Sequence, residues 1–126
     1  MKRLIVDLDE TITLSAHSGY EHAVPNLSII ERLVEYRRGG FEIVINTSRN
    51  MSTFAGNIGK INAQTLPVIL DWLERHGVPF DEIYVGKPWC GRDGFYIDDK
   101  AIRPSEFLKY SLQEITHLLE AEKGPR

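Results

Sequence analysis

One stretch near the start of the chain decides the fold: residues 4–11 read Leu-Ile-Val-Asp-Leu-Asp-Glu-Thr. Three apolar residues followed at once by acids are typical of a short buried strand that ends where the acids begin. Three further apolar runs, at residues 41–45, 83–85 and 95–97, predict three more strands. The chain is therefore expected to contain four short strands.

Helical patterns lie between and after these strands. Apolar residues recur at a helical spacing in residues 27–34, and the sequence Arg-Arg-Gly-Gly at 37–40 is a typical helix end. The same spacing predicts a second helix over residues 66–76. Ser105 is a candidate cap for a last helix that reaches about residue 122.

Two segments lack a helix or strand pattern. Residues 12–26 contain serines, a glycine and a proline and are interpreted as a flap, and residues 50–62, with two glycines, are interpreted as a loop. The remaining strands and helices alternate along the chain. This alternation indicates an α/β fold with a parallel sheet sandwiched by helices.

Length and composition are those of an ordinary globular domain. The chain has 126 residues, and we predict a single domain over residues 1–126. The formal net charge is −3, so no basic surface for nucleic acid is expected. Cys90 is the one cysteine, which excludes an internal disulfide and a cysteine-based zinc cluster. No apolar run has the length of a membrane span, and the first residues lack the apolar region of a signal peptide, so we expect no membrane partner and a cytoplasmic location.

Polar groups follow every predicted strand. In parallel sheets the carboxyl ends of the strands meet at one edge, where ligands bind, so we expect these groups to lie close together. They are carboxylates after the first and fourth strands, hydroxyls and a guanidinium after the second, and an ammonium after the third. The residues are Asp7, Asp9, Thr47, Ser48, Arg49, Lys87, Asp98 and Asp99.

Phosphoryl transfer is the chemistry that fits this set. A carboxylate can attack phosphorus and form an aspartyl-phosphate. Carboxylates and phosphoryl oxygens are both negative, so a hard cation such as Mg²⁺ is needed between them. A lysine, a hydroxyl and backbone N–H groups can hold the remaining phosphoryl oxygens.

These residues resemble the four motifs of the haloacid dehalogenase (HAD) superfamily of aspartyl phosphotransferases. Residues 7–11 resemble its first motif, DxDxT, and Thr47 resembles the second. Lys87 resembles the third motif, and the acidic pair at residues 98–99 resembles the fourth. Longer stretches are similar to small HAD phosphatases encoded in bacterial capsular-polysaccharide gene clusters. These stretches are residues 48–51, 59–62, 85–91 and 98–104.

The resemblance implies a role for each catalytic residue. Asp7 is the expected nucleophile and a metal ligand. Asp9 is the expected general acid that protonates the leaving oxygen and then the base for water, and its backbone carbonyl binds the metal. Thr47 and Lys87 are the expected partners of the phosphoryl oxygens, and Lys87 also offsets the charge of Asp7.

The resemblance also implies a magnesium site and a substrate site. Asp98 and Asp99 are expected to complete the Mg²⁺ site, with the direct ligand of the two left open. Ser48 is expected beside the substrate. Arg49 either forks onto a substrate oxygen or has a structural role, and the residues do not decide between these.

Size narrows the expected type of HAD protein. The gaps at residues 12–46 and 48–86 leave no room for an additional domain, so the resemblance implies a cap-less member. The expected substrate is a small phosphorylated sugar or sugar-acid of polysaccharide biosynthesis. An open site needs another way to exclude water, so we expect a homo-oligomer in which residues 12–26 lie near a subunit boundary.

Three alternatives remain open at this point. A macromolecular phosphate ester could itself cover the site of a monomer. A signalling receiver domain also carries acids, a threonine and a lysine at strand ends, but in that fold an aspartate ends the middle strand where this sequence has Thr47. A non-catalytic binding protein on the same scaffold would keep its acids at an electrostatic cost.

Overall fold

The computed structural model describes residues 1–16 and 19–124. The chain divides into two compact units, Met1–Trp89 and Cys90–Arg126, and each is described here by itself. The prediction of one domain over residues 1–126 stays a prediction. Part of the predicted flap, residues 17–18, lies outside the described residues.

The first unit is built on a parallel sheet. The unit contains five strands: β1 (Arg3–Val6), β2 (Thr13–Ser15), β3 (Val24–Pro25), β4 (Glu42–Asn46) and β5 (Glu82–Tyr84). The sheet has the order β1-β4-β5, and both of its pairings are parallel, with Ile5 opposite Val44 and Ile45 opposite Ile83. The predicted α/β fold with a parallel sheet flanked by helices is confirmed, and all three strands end at the same edge.

The helices of the first unit are α1 (Leu27–Arg38), α2 (Ile58–Lys60) and α3 (Leu66–Arg75). The Asn26 side chain caps α1 by accepting a hydrogen bond from the Ile29 N–H, and the helix ends at Gly39, as the sequence predicts. Leu33 of α1 and Leu73 of α3 are fully buried in the same core as the middle strand of the sheet. No additional domain is inserted in the described part of this unit.

The second predicted helix is longer than its sequence pattern indicates. It begins at Ile58, passes through a wide turn at Ile61–Thr65 and continues as α3 to Arg75. The Asn57 side chain caps its start by accepting from the Lys60 N–H. The loop predicted for residues 50–62 is therefore wrong after residue 57. Gly59 is a poor helix former, and the cap together with the buried Ile61 outweighs it.

The predicted flap contains a short antiparallel hairpin formed by β2 and β3. The buried Thr13 lies opposite Pro25, and the Asn26 N–H donates to the Ile12 carbonyl at 2.8 Å. Just before β3, the Ala23 carbonyl accepts a hydrogen bond of 2.9 Å from the Trp72 indole Nε1, which connects the hairpin to α3. The hairpin is thus anchored to the core at its base.

The second unit contains two helices and no strand among its described residues. The fourth predicted strand, residues 95–97, is wrong: these residues form no strand, and Phe95 and Ile97 are 77% and 89% exposed. An apolar run becomes a strand only where a neighbouring strand pairs with its backbone groups, and the run itself does not encode that partner. The prediction of four strands is therefore corrected to a three-stranded parallel sheet.

The last predicted helix is two helices, α4 (Pro104–Lys109) and α5 (Leu112–Ala121). Ser111 caps α5, and its hydroxyl and the Glu114 carboxylate exchange hydrogen bonds with each other's backbone N–H. Ser105 lies inside α4 and is not the cap, which corrects that prediction. No helix among the described residues has the length and apolar character needed to cross a bilayer.

Candidate active site

The turn Leu8–Ile12, which follows β1, places two carboxylates at the edge of the sheet. Leu8 and Ile12 are fully buried and anchor the turn, while Asp7 and Asp9 keep extended backbone angles. Glu10 reverses the chain with a left-handed φ of 61°. A left-handed non-glycine residue is strained, and such residues often mark functional loops.

Asp7 lies at the end of β1 and faces a cation. Its Oδ1 is 3.6 Å from the Lys87 Nζ, and its Oδ2 accepts a long hydrogen bond of 3.5 Å from the Thr11 hydroxyl. Burial raises the pKa of the Asp7 carboxyl above its usual value, because desolvation of the charge outweighs the opposing attraction of Lys87. Asp7 is thus a partly buried carboxylate that is incompletely neutralised by its lysine.

Asp9 is held by a guanidinium fork. The Arg49 Nε donates to one carboxylate oxygen at 3.1 Å, and its Nη2 donates to the other at 2.7 Å. The Arg49 side chain is 1% exposed and that of Asp9 is 32% exposed. The Tyr20 ring covers the guanidinium, with the ring centroid 4.1 Å from the Arg49 Cζ. The buried Nη1 of Arg49 has no hydrogen-bond partner among the described residues.

Thr47 follows β4 and is almost completely buried. Its backbone continues the pairing beyond the strand: the Thr47 N–H donates to the Tyr84 carbonyl at 2.9 Å, and the Lys87 N–H donates to the Thr47 carbonyl at 3.1 Å. The Thr47 hydroxyl oxygen accepts from the Arg49 N–H at 3.1 Å, so its own proton remains available for donation. Ser48 is half-buried beside it, and its carbonyl accepts from the Met51 N–H.

Gly86 fixes the position of the lysine loop after β5. Its φ of +84° is left-handed, and a Cβ at this position would lie 2.6 Å from the Ile58 Cδ1. Only glycine meets both conditions without strain. Gly86 therefore lets Lys87 approach Asp7 while the loop packs against the start of α2.

The first unit brings five of the predicted site residues together at the carboxyl edge of the sheet. The Lys87 side chain faces Asp7, and the Lys87 backbone N–H donates to the Thr47 carbonyl. The Arg49 backbone N–H donates to the Thr47 hydroxyl oxygen, and the Arg49 side chain pairs with Asp9. These links place an acid, a hydroxyl and an ammonium in one connected group. Their catalytic roles stay predictions.

Asp98 and Asp99 belong to the second unit. The Asp98 carboxylate accepts a hydrogen bond from the Lys100 N–H at 2.9 Å, and this bond is the main reason why the pKa of Asp98 lies below its usual value. Among the described residues, no three His, Cys, Asp or Glu side chains form a group that could hold a metal ion. The assignment of Asp98 and Asp99 as magnesium ligands stays a prediction.

A cavity of about 510 Å³ lies beside Asp9 on the hairpin side. Its volume is typical of sites for small molecules. Carboxylate, hydroxyl and aromatic groups all contribute to its wall. The lining residues are Asp9, Glu10, Thr13, Leu14, Ser15, Ala16 and Tyr20.

Two features of the site are not evident from the sequence. The pairing of Arg49 with Asp9 joins residues 40 positions apart, and no periodic pattern reports it. The role of Gly86 depends on Ile58, which the sequence assigns to a loop. The order Thr-Ser-Arg after a predicted strand indicates that Arg49 lies near the site, but it does not predict which residue Arg49 pairs with.

The fold and the site together define a Rossmann-like α/β protein with an acid–lysine–threonine group at the carboxyl edge of its sheet and, over residues 1–16 and 19–124, no cap domain. The crystal structure of an MCSG target from Vibrio cholerae is 61% identical to this chain, with a TM-score of 0.96, and the match covers 98% of this chain and 100% of that one. The chain belongs to the same family as that Vibrio cholerae protein.

A second solved structure is far more distant. It is a D,D-heptose 1,7-bisphosphate phosphatase from B. bronchiseptica, complexed with magnesium and phosphate. It is 15% identical, with a TM-score of 0.46, over 68% of this chain and 49% of that one. No protein-family model and no curated protein matches the chain.

Proposed function

We propose that this protein is a Mg²⁺-dependent phosphomonoester hydrolase of the HAD type that acts through an aspartyl-phosphate on Asp7. One observation carries the proposal: Asp7 lies at the end of β1 with the Lys87 ammonium 3.6 Å away, on the same sheet edge as Asp9 and Thr47. This is the arrangement that the resemblance to the HAD motifs implies. Lys87 and the Thr47 hydroxyl are donors for the phosphoryl oxygens.

The reaction has two steps. In the first, an Asp7 carboxylate oxygen attacks phosphorus, the bond from phosphorus to the leaving oxygen breaks, and a proton from Asp9 completes the alcohol product. In the second, water attacks the phosphorus of the aspartyl-phosphate while Asp9 takes its proton. Inorganic phosphate leaves, Asp7 regains its carboxylate and Asp9 regains its proton.

Magnesium fits the donor set. Oxygen ligands suit Mg²⁺, and in the first unit the Asp7 carboxylate and the Asp9 carbonyl would hold it. The resemblance to the HAD motifs implies a further ligand from Asp98 or Asp99. The raised pKa of Asp7 supports this assignment, because a buried carboxylate that Lys87 neutralises only in part gains from a second cation. When bound, Mg²⁺ supplies charge compensation between the carboxylates and the phosphoryl group.

The substrate in this proposal is a small phosphorylated sugar or sugar-acid of capsular polysaccharide biosynthesis. The cavity of about 510 Å³ beside Asp9 supports a small leaving group, and Tyr20 and Ser15 in its wall suit a hydroxylated one. Ser48 and Arg49 contribute to substrate binding. The enzyme works in the cytoplasm as a homo-oligomer, in keeping with a free thiol at Cys90.

Steady-state phosphate release tests this function. The purified protein is expected to hydrolyse p-nitrophenyl phosphate over many turnovers with Mg²⁺, to lose activity on chelation and to regain it when Mg²⁺ is returned. Asp7→Asn removes the nucleophile and abolishes turnover, whereas Asp71→Asn is the matched control, since Asp71 pairs with Arg75 on the surface of α3. Activity that survives in Asp7→Asn contradicts the proposal, and a single turnover per chain indicates a receiver-like phosphoacceptor. Light scattering tests the oligomer, which a monomer at micromolar concentration would contradict.

A further inference from the structure

Tyr20 lies in the wall of the cavity beside Asp9 and also covers Arg49. One face of its ring lies against the guanidinium, whose Cζ is 4.1 Å from the ring centroid. Tyr20 is nevertheless 38% exposed. Because the buried guanidinium occupies one ring face, a ligand in the cavity meets the rest of this side chain: the opposite face, the ring edge and the hydroxyl.

The turn that carries Tyr20 is held at several points. Within the turn, the Ala23 N–H donates to the Tyr20 carbonyl at 3.2 Å. Helix α3 holds the same turn from outside, because the Trp72 Nε1 donates to the Ala23 carbonyl at 2.9 Å. The Arg75 Nη2 also donates to the Glu21 carbonyl at 2.7 Å. An aromatic ring that is fixed in this way loses little conformational entropy when a ligand packs against it.

The rest of the cavity wall combines apolar residues with residues that carry hydroxyls. Leu14 and Ala16 are of the first kind, and Thr13 and Ser15 are of the second. A sugar ring has matching surfaces, because the C–H bonds of one face form an apolar patch and the hydroxyls project from the rim. An open-chain polyol has no such fixed face, and holding its carbons flat against a ring costs conformational entropy.

Asp9 determines which part of a substrate reaches Tyr20. In the proposed reaction the leaving oxygen lies beside Asp9, and Asp9 and Tyr20 belong to the wall of the same cavity. The carbon skeleton that is attached to the leaving oxygen therefore extends into the cavity. A flat part of that skeleton has one aromatic ring in the wall to pack against, which is Tyr20.

We propose that Tyr20 determines substrate specificity by stacking on the sugar ring of the leaving group. The preferred substrates are then phosphate esters of cyclic sugars, and esters of open-chain polyols of the same size are poorer substrates. The aromatic ring of Tyr20 carries this preference, and its hydroxyl does not. This inference rests on the proposed phosphatase function and narrows its substrate class.

A matched pair of esters tests the inference. Glucose 6-phosphate and sorbitol 6-phosphate have the same number of carbons and the same kind of leaving group, a primary alcohol, but the first alone is a ring. We expect wild-type kcat/KM to be roughly 3- to 10-fold higher for glucose 6-phosphate, the effect of one stacked contact. In Tyr20→Leu the preference falls to about one, and in Tyr20→Phe it stays at the wild-type value.

The control is Tyr110→Leu, which removes a tyrosine of the second unit and keeps the wild-type preference. Where Tyr20→Leu does not fold, Tyr20→Met retains a long apolar cover over Arg49 and is expected to lose the same preference. Equal efficiencies on both esters in the wild type overturn the inference and leave the phosphatase function standing. A preference that survives in Tyr20→Leu, or that Tyr20→Phe loses, has the same consequence.

A binding measurement separates failure of the inference from failure of the function. Titration calorimetry on the non-hydrolysing Asp7→Asn protein is expected to show tighter binding of glucose 6-phosphate than of sorbitol 6-phosphate. Tyr20→Leu in that background is expected to remove the difference. A Tyr20-dependent preference in binding, found with a wild-type protein that releases no phosphate, supports the inference and refutes the phosphatase. Equal binding of the two esters, or no binding of either at millimolar concentration, refutes the inference.

Discussion

Replacing Gly86 by alanine is expected to destabilise the protein more than the same replacement at a left-handed glycine with open surroundings. Two effects add at this residue. Its φ of +84° disfavours any residue with a Cβ, and the new Cβ would lie 2.6 Å from the Ile58 Cδ1. Gly77 is the matched control, because its φ is +63° and nothing lies within 4 Å of the added atom.

The magnitudes follow from these two terms. The left-handed backbone costs an alanine roughly 1–2 kcal/mol, and this is the whole expected loss of unfolding free energy for Gly77→Ala. Overpacking displaces the Ile58 Cδ1, the outer end of a partly exposed side chain, and adds about 0.5–1.5 kcal/mol, so Gly86→Ala is expected to lose about 1.5–3.5 kcal/mol. Ile58→Val removes the Cδ1 atom, and the remaining Cγ1 is 3.8 Å from the added Cβ, an ordinary contact distance. The double variant therefore recovers the overpacking part and keeps the backbone part.

Urea unfolding followed by circular dichroism measures these differences. Equal losses of unfolding free energy in Gly86→Ala and Gly77→Ala would contradict a contact between the added Cβ and Ile58. A failure of Ile58→Val to rescue Gly86→Ala beyond its own effect would contradict it as well. Phosphatase assays add a functional reading. A shifted loop moves Lys87 away from Asp7, so Gly86→Ala is expected to lower kcat, while Gly77→Ala keeps it.

Three further predictions concern the acids and the core. Asp7→Asn is expected to raise the melting temperature at pH 7, because the raised pKa of Asp7 makes its ionised form unfavourable in the folded state. The gain in melting temperature is expected to shrink as the pH falls towards the ordinary pKa of aspartate. A gain that does not depend on pH would contradict this cause. Asp9→Asn is expected to slow hydrolysis of an alkyl phosphate more than that of p-nitrophenyl phosphate, since an alkoxide needs a proton to depart; equal losses would indicate a positioning role. Trp72→Phe leaves the Ala23 carbonyl without its donor and is expected to cost about 1–3 kcal/mol in a thermal unfolding assay, whereas Trp89→Phe, at a half-exposed site, serves as the mild control.

The sequence predicts most of the first unit and less of the second. β1 and β4 follow from short apolar runs that end in polar groups, and α1 follows from its helical spacing and its glycine end. Residues 95–97 have the same apolar character as β1 yet form no strand. The difference is that β1 has a strand to pair with, and pairing between distant segments is a tertiary property that a local pattern does not contain.

The candidate site likewise has a part that is predictable from the sequence and a part that is not. Asp7, Thr47 and Lys87 were predictable because each follows a strand, and parallel strands end at one edge. The Arg49–Asp9 fork was not predictable, because it depends on the exact paths of two loops. One of those loops reverses at the left-handed Glu10, a conformation that no residue type in the stretch indicates.

The left-handed backbone has a consequence for anyone who engineers this protein. The three non-glycine residues with positive φ among the described residues are Glu10, Asn50 and Ala55, and all three lie in the loops that follow β1 and β4. Glycine at any of them would relieve strain, so a screen for heat resistance would be drawn to these positions first. The same loops carry Asp9 and Arg49. Selection for thermostability is therefore expected to act on the site itself, and thermostable variants need to be screened for turnover from the first round.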